Sequence, residues 1–365
     1  MSSGSRSRGH RWAIVLAGGD GVRMQTAIAH WLGWRVPKQY CRFVGTRSMF
    51  QHTLDRMMRI ARPERTVVVV GRGHHEAWAQ IGERNPGVVL VQPRNADTAP
   101  GTFLPLTYIR ARDPEGTVVV SPFDHFVFPE ERFLGEVLYA ARAAEKLDGR
   151  MVLLAARPTG PETDYGWIQP DRDLACFGTR PVWAARAFLE KPEPSLARLA
   201  YASGAFWNTM IMAGTVDALW KLGWRVLPDM MALFEQLGEA IDTPREPEVL
   251  RMIYQRMPSL NLSSDLLAHS IDHLAVMEMQ DVWWNDWGRP DRIADTLMRL
   301  GRHSEFVRRH LQTGNVGSAA TVGDGARSLQ AAAPLVVRDD ASGMRLSLSG
   351  DGAMRAAILD QESES

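Results

Sequence analysis

The chain has 365 residues, 45% of them hydrophobic and 23% charged, enough to bury a substantial core in one large domain with an appendage. Forty-two basic residues balance forty-two acidic ones, so no global field favours nucleic acid or an anionic membrane, and any anion binding must be local. The two cysteines, Cys41 and Cys176, exclude a disulfide framework and a four-cysteine zinc site, and they suit a reducing, cytoplasmic setting. Residues 1–10 are polar and basic and read as a disordered N-terminus. The apolar run after them is short for a secretory signal core, and no run approaches the length of a membrane span.

The first predicted strand, residues 13–16, empties into Gly18, Gly19 and Gly21, where the backbone can turn sharply and present its amides to an anion. Arg23 follows with a planar guanidinium suited to phosphate oxygens, and Lys38 with a compact ammonium, so the segment reads as a polyphosphate clamp. An ordinary strand-to-helix turn with solvated charges is the alternative. A dinucleotide fingerprint would need a third glycine where Met24 stands, and the Gly-Lys-Ser/Thr of a P-loop is absent. Among the basic residues only Lys38, Lys146, Lys191 and Lys221 are lysine, and two of these sit beside proline in PKQ and EKP. That is the pattern expected where a narrow ammonium is required and a guanidinium fork would not fit.

Further apolar runs at 66–70, 88–91, 117–120 and 151–155 alternate with helical-period stretches such as 130–147. They predict an α/β fold, a Rossmann-like, mainly parallel sheet sandwiched by helices. Ligands of such sheets bind beyond the carboxyl ends of the strands, where Gly18 to Arg23 and Ser121 to His125 both fall. Asp124, just past the fourth strand, suits a magnesium ion bridging phosphates. Asp286, in WWNDWGRPDR, offers the second carboxylate beside the turn at Gly288. Taken singly, each aspartate fits a helix cap or a turn equally well. Beyond residue 182 shorter strands (184–189, 209–212) and helices (216–222, 228–237, 246–256) follow without a clear linker, which places a catalytic domain at 11–300. A C-terminal extension, 301–365, is partly flexible, with short strands at 334–338 and 344–348.

Three clusters mix hydrogen-bonding groups with an aromatic ring or a glycine, as a sugar requires: Tyr165 with Gly166, Glu190 with Lys191, and Asn208 in FWNTM. Each alone is also explained as a strand end or a solvated ion pair. In order, however, GGxGxR, PKQ, TAP, DH, YG, EKP, WN and DxG, spanning about Trp12 to Arg292, resemble the bacterial sugar-1-phosphate nucleotidyltransferases, above all the mannose-1-phosphate guanylyltransferases. QPRNADTAPG is similar to that family's nucleobase-lining segment, and SIDHLAVME looks like its SIDYAVME helix.

The resemblance implies a Mg²⁺-dependent cytoplasmic enzyme that transfers a nucleoside monophosphate from a triphosphate, GTP first, to a sugar 1-phosphate, mannose 1-phosphate first, with release of pyrophosphate. The same chemistry with another base or hexose is one alternative, and a nucleotide-sugar sensor without turnover is another. Carried over by motif, Arg23 and Lys38 are catalytic, and Leu16, Gly18, Gly19, Gly21, Thr98 and Pro100 bind the nucleotide. Tyr165, Gly166, Glu190, Lys191 and Asn208 bind the sugar phosphate, and Asp124 and Asp286 hold the metal. Neither nucleic acid nor membrane is implied as a partner; self-association stays open. The chain departs from the family pattern in three places. MQTAIAHWLGWRV lengthens the gap before PKQ, Ala96-Asp97 stand where many guanylyltransferases have Arg-Asn, and Thr209-Met210 follow WN where Ser-Gly is usual. No cupin-like isomerase domain is evident after residue 300.

Overall fold

The structure, a computed structural model, describes residues 10–19, 21–74, 77, 80–81, 86–147, 149–302, 304–312, 336–339, 344–348 and 354–358. The chain divides into two compact units, one of residues 1–19, 51–123 and 132–282, the other of residues 20–50, 124–131 and 283–365.

The first unit is built on β1 (Arg11–Ala17), β2 (Thr66–Gly71), β3 (Val88–Gln92), β4 (Thr117–Pro122), β6 (Met151–Ala156), β7 (Gly166–Phe177), β8 (Arg180–Leu189), β9 (Phe206–Thr215) and β10 (Leu274–Glu278). They form one sheet in the order β3-β2-β1-β4-β9-β6-β10-β8-β7. β1, β2, β3, β4, β6, β7 and β10 run one way, β8 and β9 the other, giving the mainly parallel α/β sheet. Strands covered on both faces must be apolar throughout, and Val67 to Val70 and Met151 to Ala156 are buried at every position. The helix Thr98–Arg112 packs on β1, β2 and β3 and against the helices Val216–Val226 and Pro228–Gly238. There Phe103 and Phe234 stack with centroids 6.4 Å apart, each fully buried and each stabilising by about 1.5–3 kcal/mol.

One expectation is corrected. SIDHLAVME is not a helix: a single turn, Ile271–His273, leads into β10, which pairs in parallel with β6. Leu274 to Met277 are all buried, so the run serves a strand covered on both faces, and its apolar continuity carries no helical period to distinguish the two.

The second unit gathers Met24, Ile28, Cys41, Phe43, Trp287, Ile293, Leu297 and Phe306 into its own core. The lengthened MQTAIAHWLGWRV segment contributes the helix Gln25–Leu32, closed by Gly33, whose left-handed backbone (φ 87°) lets its N–H donate to the Ala29 carbonyl at 2.8 Å. A two-stranded ribbon joins β5 (Phe126–Phe128) to β11 (Trp283–Asn285). Near the C-terminus β12 (Val336–Asp339), β13 (Met344–Leu348) and β14 (Met354–Ile358) form an antiparallel sheet of their own. The first two answer the strands expected there.

The two cysteines differ in reactivity. Cys41 lies in the second unit's core, and burial pushes its thiol up to about 12, whereas Cys176 is exposed. A thiol reagent at pH 8 is expected to label one cysteine per native chain, at Cys176, and two after unfolding. Fast native labelling of Cys41, read by peptide mass spectrometry, would contradict that packing.

Candidate active site

In the first unit, β1 and β4 are parallel neighbours with Leu16 opposite Pro122, so the half-buried Leu16 and then Gly18 and Gly19 leave the sheet at its carboxyl end. At Gly18 a Cβ would stand 2.6 Å from Oε1 of the buried Gln92, so any side chain there would have to displace that amide. Gln92 in turn donates from Nε2 to the Tyr254 hydroxyl at 3.2 Å.

Asp97 has a backbone (φ 68°, ψ −173°) that L residues seldom adopt, and its carboxylate caps the helix beginning at Thr98 by accepting that residue's N–H at 2.6 Å. A distant segment holds this turn. The Asn261 amide donates to Asp97 at 3.3 Å, the Leu262 N–H to the Thr98 hydroxyl at 2.8 Å, and the Ala99 N–H to the Leu260 carbonyl at 2.9 Å. Pro100 falls in the first helical turn, where its missing N–H removes no helical bond. Asn261 and Gln92 were not singled out from the sequence, because no local pattern ties them to residues so far away.

The sugar-type residues also converge in this unit. β9 pairs with β6 along one edge and, beyond its pairing with β4, with β7 along the other, so Asn208 lies opposite both Ala155 and Gly166. Around Gly166 the space is full: a Cβ would meet Glu190 Oε2 at 2.8 Å and Asn208 Cβ at 3.2 Å. The Lys191 N–H donates to the Tyr165 carbonyl at 3.2 Å, and its ammonium lies 3.1 Å from Glu190. Tyr165 packs edge-on against Trp207 at 4.9 Å. Gly166→Ala is expected to spread Glu190 and Asn208 apart, costing about 1–3 kcal/mol of stability. Unchanged thermal unfolding would contradict this packing.

The second unit holds Gly21, Arg23, Lys38, Asp124 and Asp286. Gly21 adopts φ 59°, and a Cβ there would crowd Gln39 Oε1 at 3.1 Å and the Lys38 N atom at 3.4 Å. The ribbon brings the aspartates together: Asn285 pairs with Phe126 in antiparallel register, which sets Asp286 beside His125 and Asp124. Between them lies Lys38, its side chain only 5% exposed, with Nζ 3.0 Å from Asp124 Oδ2 and donating to the Asp286 carbonyl at 2.6 Å.

Asp286 Oδ1 accepts the Gly288 N–H at 2.9 Å and pairs with Arg292 at 3.0 Å. Burial alone would push the Asp286 carboxyl up, but the Arg292 guanidinium, the Lys38 ammonium and the Gly288 amide together hold it below the ordinary aspartate value. The indole N–H of Trp284 can only donate, so His125 Nδ1 accepts from it at 3.3 Å, and His125 Nε2 lies 3.8 Å from Asp124. The exposed Arg23 brings its guanidinium to the turn at Gly288, 3.3 Å from where a Cβ would stand. Arg292, side chain 9% exposed, was not anticipated as a site residue. In sequence it is one more arginine in the first turn of a helix, Pro290–Arg299, and only the ion pair reveals its link to Asp286.

In a mainly parallel α/β sheet of this kind ligands bind beyond the carboxyl ends of the strands, where the glycine turn after β1 falls. The chain belongs to the nucleotidyl transferase family, which residues 12–303 match. It is 32% identical over 302 residues to the xanthan biosynthesis protein XanB of Xanthomonas campestris pv. campestris, covering 79% of this chain and 60% of XanB. It is 24% identical to a mannose-1-phosphate guanylyltransferase of Escherichia coli, over 75% of this chain and 59% of that one. The chain thus spans about 60% of the length of both relatives. Among solved structures, a Thermus thermophilus protein described as a mannose-1-phosphate geranyltransferase superposes with a TM-score of 0.64 and 26% identity, covering 76% of each chain. Among the described residues no helix is long and apolar enough to cross a membrane.

Proposed function

We propose that the chain transfers a nucleoside monophosphate from a nucleoside triphosphate to a sugar 1-phosphate, with GTP and mannose 1-phosphate the leading pair and GDP-mannose for polysaccharide synthesis the product. The observation that carries this reading is the convergence of Asp124 and Asp286 on the buried ammonium of Lys38, within a chain of the nucleotidyl transferase family. Support for the particular pair comes from the mannose-1-phosphate guanylyltransferase of Escherichia coli, and support for polysaccharide synthesis from the xanthan biosynthesis protein.

In this reading a non-bridging oxygen of the sugar phosphate attacks the α-phosphorus. A new P–O bond forms as the bond from the α-phosphorus to the αβ-bridging oxygen breaks, and pyrophosphate leaves. The nucleophile is already ionised at neutral pH, so no general base is needed and catalysis is positioning plus charge stabilisation. The amides of Gly18, Gly19 and Gly21 and the Arg23 guanidinium take the triphosphate oxygens, and Lys38 offsets the negative charge that grows on the leaving side. Thr98 and its neighbours face the base, while Tyr165, Gly166, Glu190, Lys191 and Asn208 orient the sugar phosphate. The Asp124 carboxylate and the Asp286 carbonyl meet on one ammonium, while Arg292 and the Gly288 amide hold the Asp286 carboxylate; two aspartates so placed would supply hard oxygen donors to Mg²⁺, which when bound there would neutralise phosphate charge.

The test is pyrophosphate release with each of GTP, ATP, UTP, CTP and dTTP against mannose 1-phosphate and glucose 1-phosphate. Release with GTP and mannose 1-phosphate together, and with neither alone, is expected. Preference for another pair would retain the chemistry and reassign the substrates. Nucleotide binding without release in any combination would favour the sensor.

A further inference from the structure

We propose that Met210 selects among sugar 1-phosphates, its thioether filling the space beside Asn208 and excluding hexoses that carry a bulky acylamino group. The proposal rests on the reading that Asn208, Glu190 and Gly166 receive the sugar phosphate.

Its basis is an irregularity in β9. Leu154 of β6 pairs with Ile211, but the next residue, Ala155, pairs with Asn208, so Thr209 and Met210 are looped out of the ladder. The Thr209 hydroxyl makes good the loss by donating to the Leu154 carbonyl at 2.5 Å and accepting the Ile211 N–H at 3.3 Å. Met210 is left with φ 58°, a left-handed backbone that glycine adopts without strain and that a long side chain does not. A methionine held there must be kept by what its side chain touches.

Its sulfur is the meeting point of two donors. The Ser263 hydroxyl donates to Sδ at 2.9 Å and the Asn208 amide at 3.4 Å, while the Met210 N–H donates to Asn208 Oδ1 at 3.1 Å. Asn208 is 5% exposed, and among the described residues the one acceptor for its amide N–H groups is this thioether. A thioether is a weak acceptor, so a sugar oxygen reaching the same place would take the amide over. Ser263 belongs to the segment whose Asn261 and Leu262 grip Asp97 and Thr98, so one short stretch of chain braces both the turn assigned to the base and the methionine assigned to the sugar.

Replacing Met210 by glycine removes four heavy atoms, whereas an acetamido group in place of a hydroxyl adds three. The vacated volume therefore matches an N-acetylhexosamine 1-phosphate. Size exclusion in a packed pocket is commonly worth about 10- to 200-fold.

The experiment compares the wild type with Met210→Gly, Met210→Ala and Met210→Leu on mannose 1-phosphate and N-acetylglucosamine 1-phosphate. Turnover is read as kcat/KM, and binding is read separately by calorimetry. Met210→Gly is expected to raise the ratio of the acylated to the plain sugar phosphate at least tenfold in both readouts. Met210→Ala should raise it less, and Met210→Leu, which keeps the volume and loses the sulfur, should leave it near the wild-type value. Should Met210→Gly not fold, the Ala and Leu variants decide by the same ordering. A ratio unmoved in Gly and Ala while the wild type turns over would overturn the proposal alone. No turnover by the wild type or any variant with any nucleoside triphosphate, with the binding ratio shifted, would overturn the transfer reading and leave the proposal standing. No binding of either sugar phosphate by any variant would overturn both.

Discussion

Asp124→Ala is expected to lower turnover by about 10³-fold or more, a loss typical of removing a preorganised charge at a reacting phosphate. Truncation leaves the Lys38 ammonium, only 5% exposed, without its carboxylate, so a lowered Tm is expected beside the kinetic loss, with far-ultraviolet circular dichroism of the folded protein unchanged. Asp286 needs a gentler probe. Truncation to Ala would leave the Arg292 guanidinium buried without its carboxylate, which costs about 3–5 kcal/mol and would mix stability with catalysis. Asp286→Asn keeps an acceptor for the Gly288 N–H, removes the charge and should show the same kinetic loss with a smaller drop in Tm. Since Asp286 is held below the ordinary aspartate value, its contribution to stability is complete above about pH 4 and fades as the pH falls through the lowered value. Asp286→Asn should lack that acid limb. Turnover within tenfold of wild type in either variant would remove these carboxylates from the mechanism.

Lys38→Arg carries the second large effect, an expected loss of about 10²-fold in kcat with positive charge retained. The ammonium is enclosed, and its two oxygen partners at 2.6 and 3.0 Å leave a pocket matched to a compact group. A guanidinium is broader and planar and would displace Asp124 or the Asp286 backbone. The loss should appear in kcat more than in the KM of either substrate, because an interaction strengthened as charge develops acts on the transition state. Wild-type kcat in Lys38→Arg would mean that Lys38 contributes only charge. The scarcity of lysine in a chain of forty-two basic residues would then have no bearing on this position.

Much of the fold can be read directly from the sequence where burial is two-sided. The apolar runs at 66–70, 117–120 and 151–155 became β2, β4 and β6 with one or two residues added, because a strand covered on both faces leaves no polar gap to mistake, and the run at 88–91 became the half-buried edge strand β3. The same continuity misled at Leu274 to Met277, where a buried strand and a buried helix look alike. The helix Thr98–Arg112 was hidden for a different reason: Pro100, Gly101 and Pro105 read as breakers, and its buried residues leave no polar face to betray a period.

The candidate site divides along similar lines. Residue types that announce themselves locally, such as Gly18, Lys38, Asp124, Gly166 and Asn208, could be proposed from motif order. Arg292, Asn261, Ser263 and the left-handed backbone of Met210 could not, since each acts through a partner reached only after folding. The Thr209-Met210 departure was visible in the sequence, but what it does depends on the register shift against β6 that loops it out.

The most direct measurement follows isotopic oxygen from the sugar phosphate through a single turnover. Mannose 1-phosphate labelled with ¹⁸O in its non-bridging phosphate oxygens is incubated with GTP, Mg²⁺ and the full chain, and both products are weighed by mass spectrometry. Attack on the α-phosphorus predicts that every label appears in the nucleotide sugar and none in pyrophosphate. Label in the pyrophosphate, or pyrophosphate released at the same rate without the sugar phosphate, would contradict direct nucleotidyl transfer.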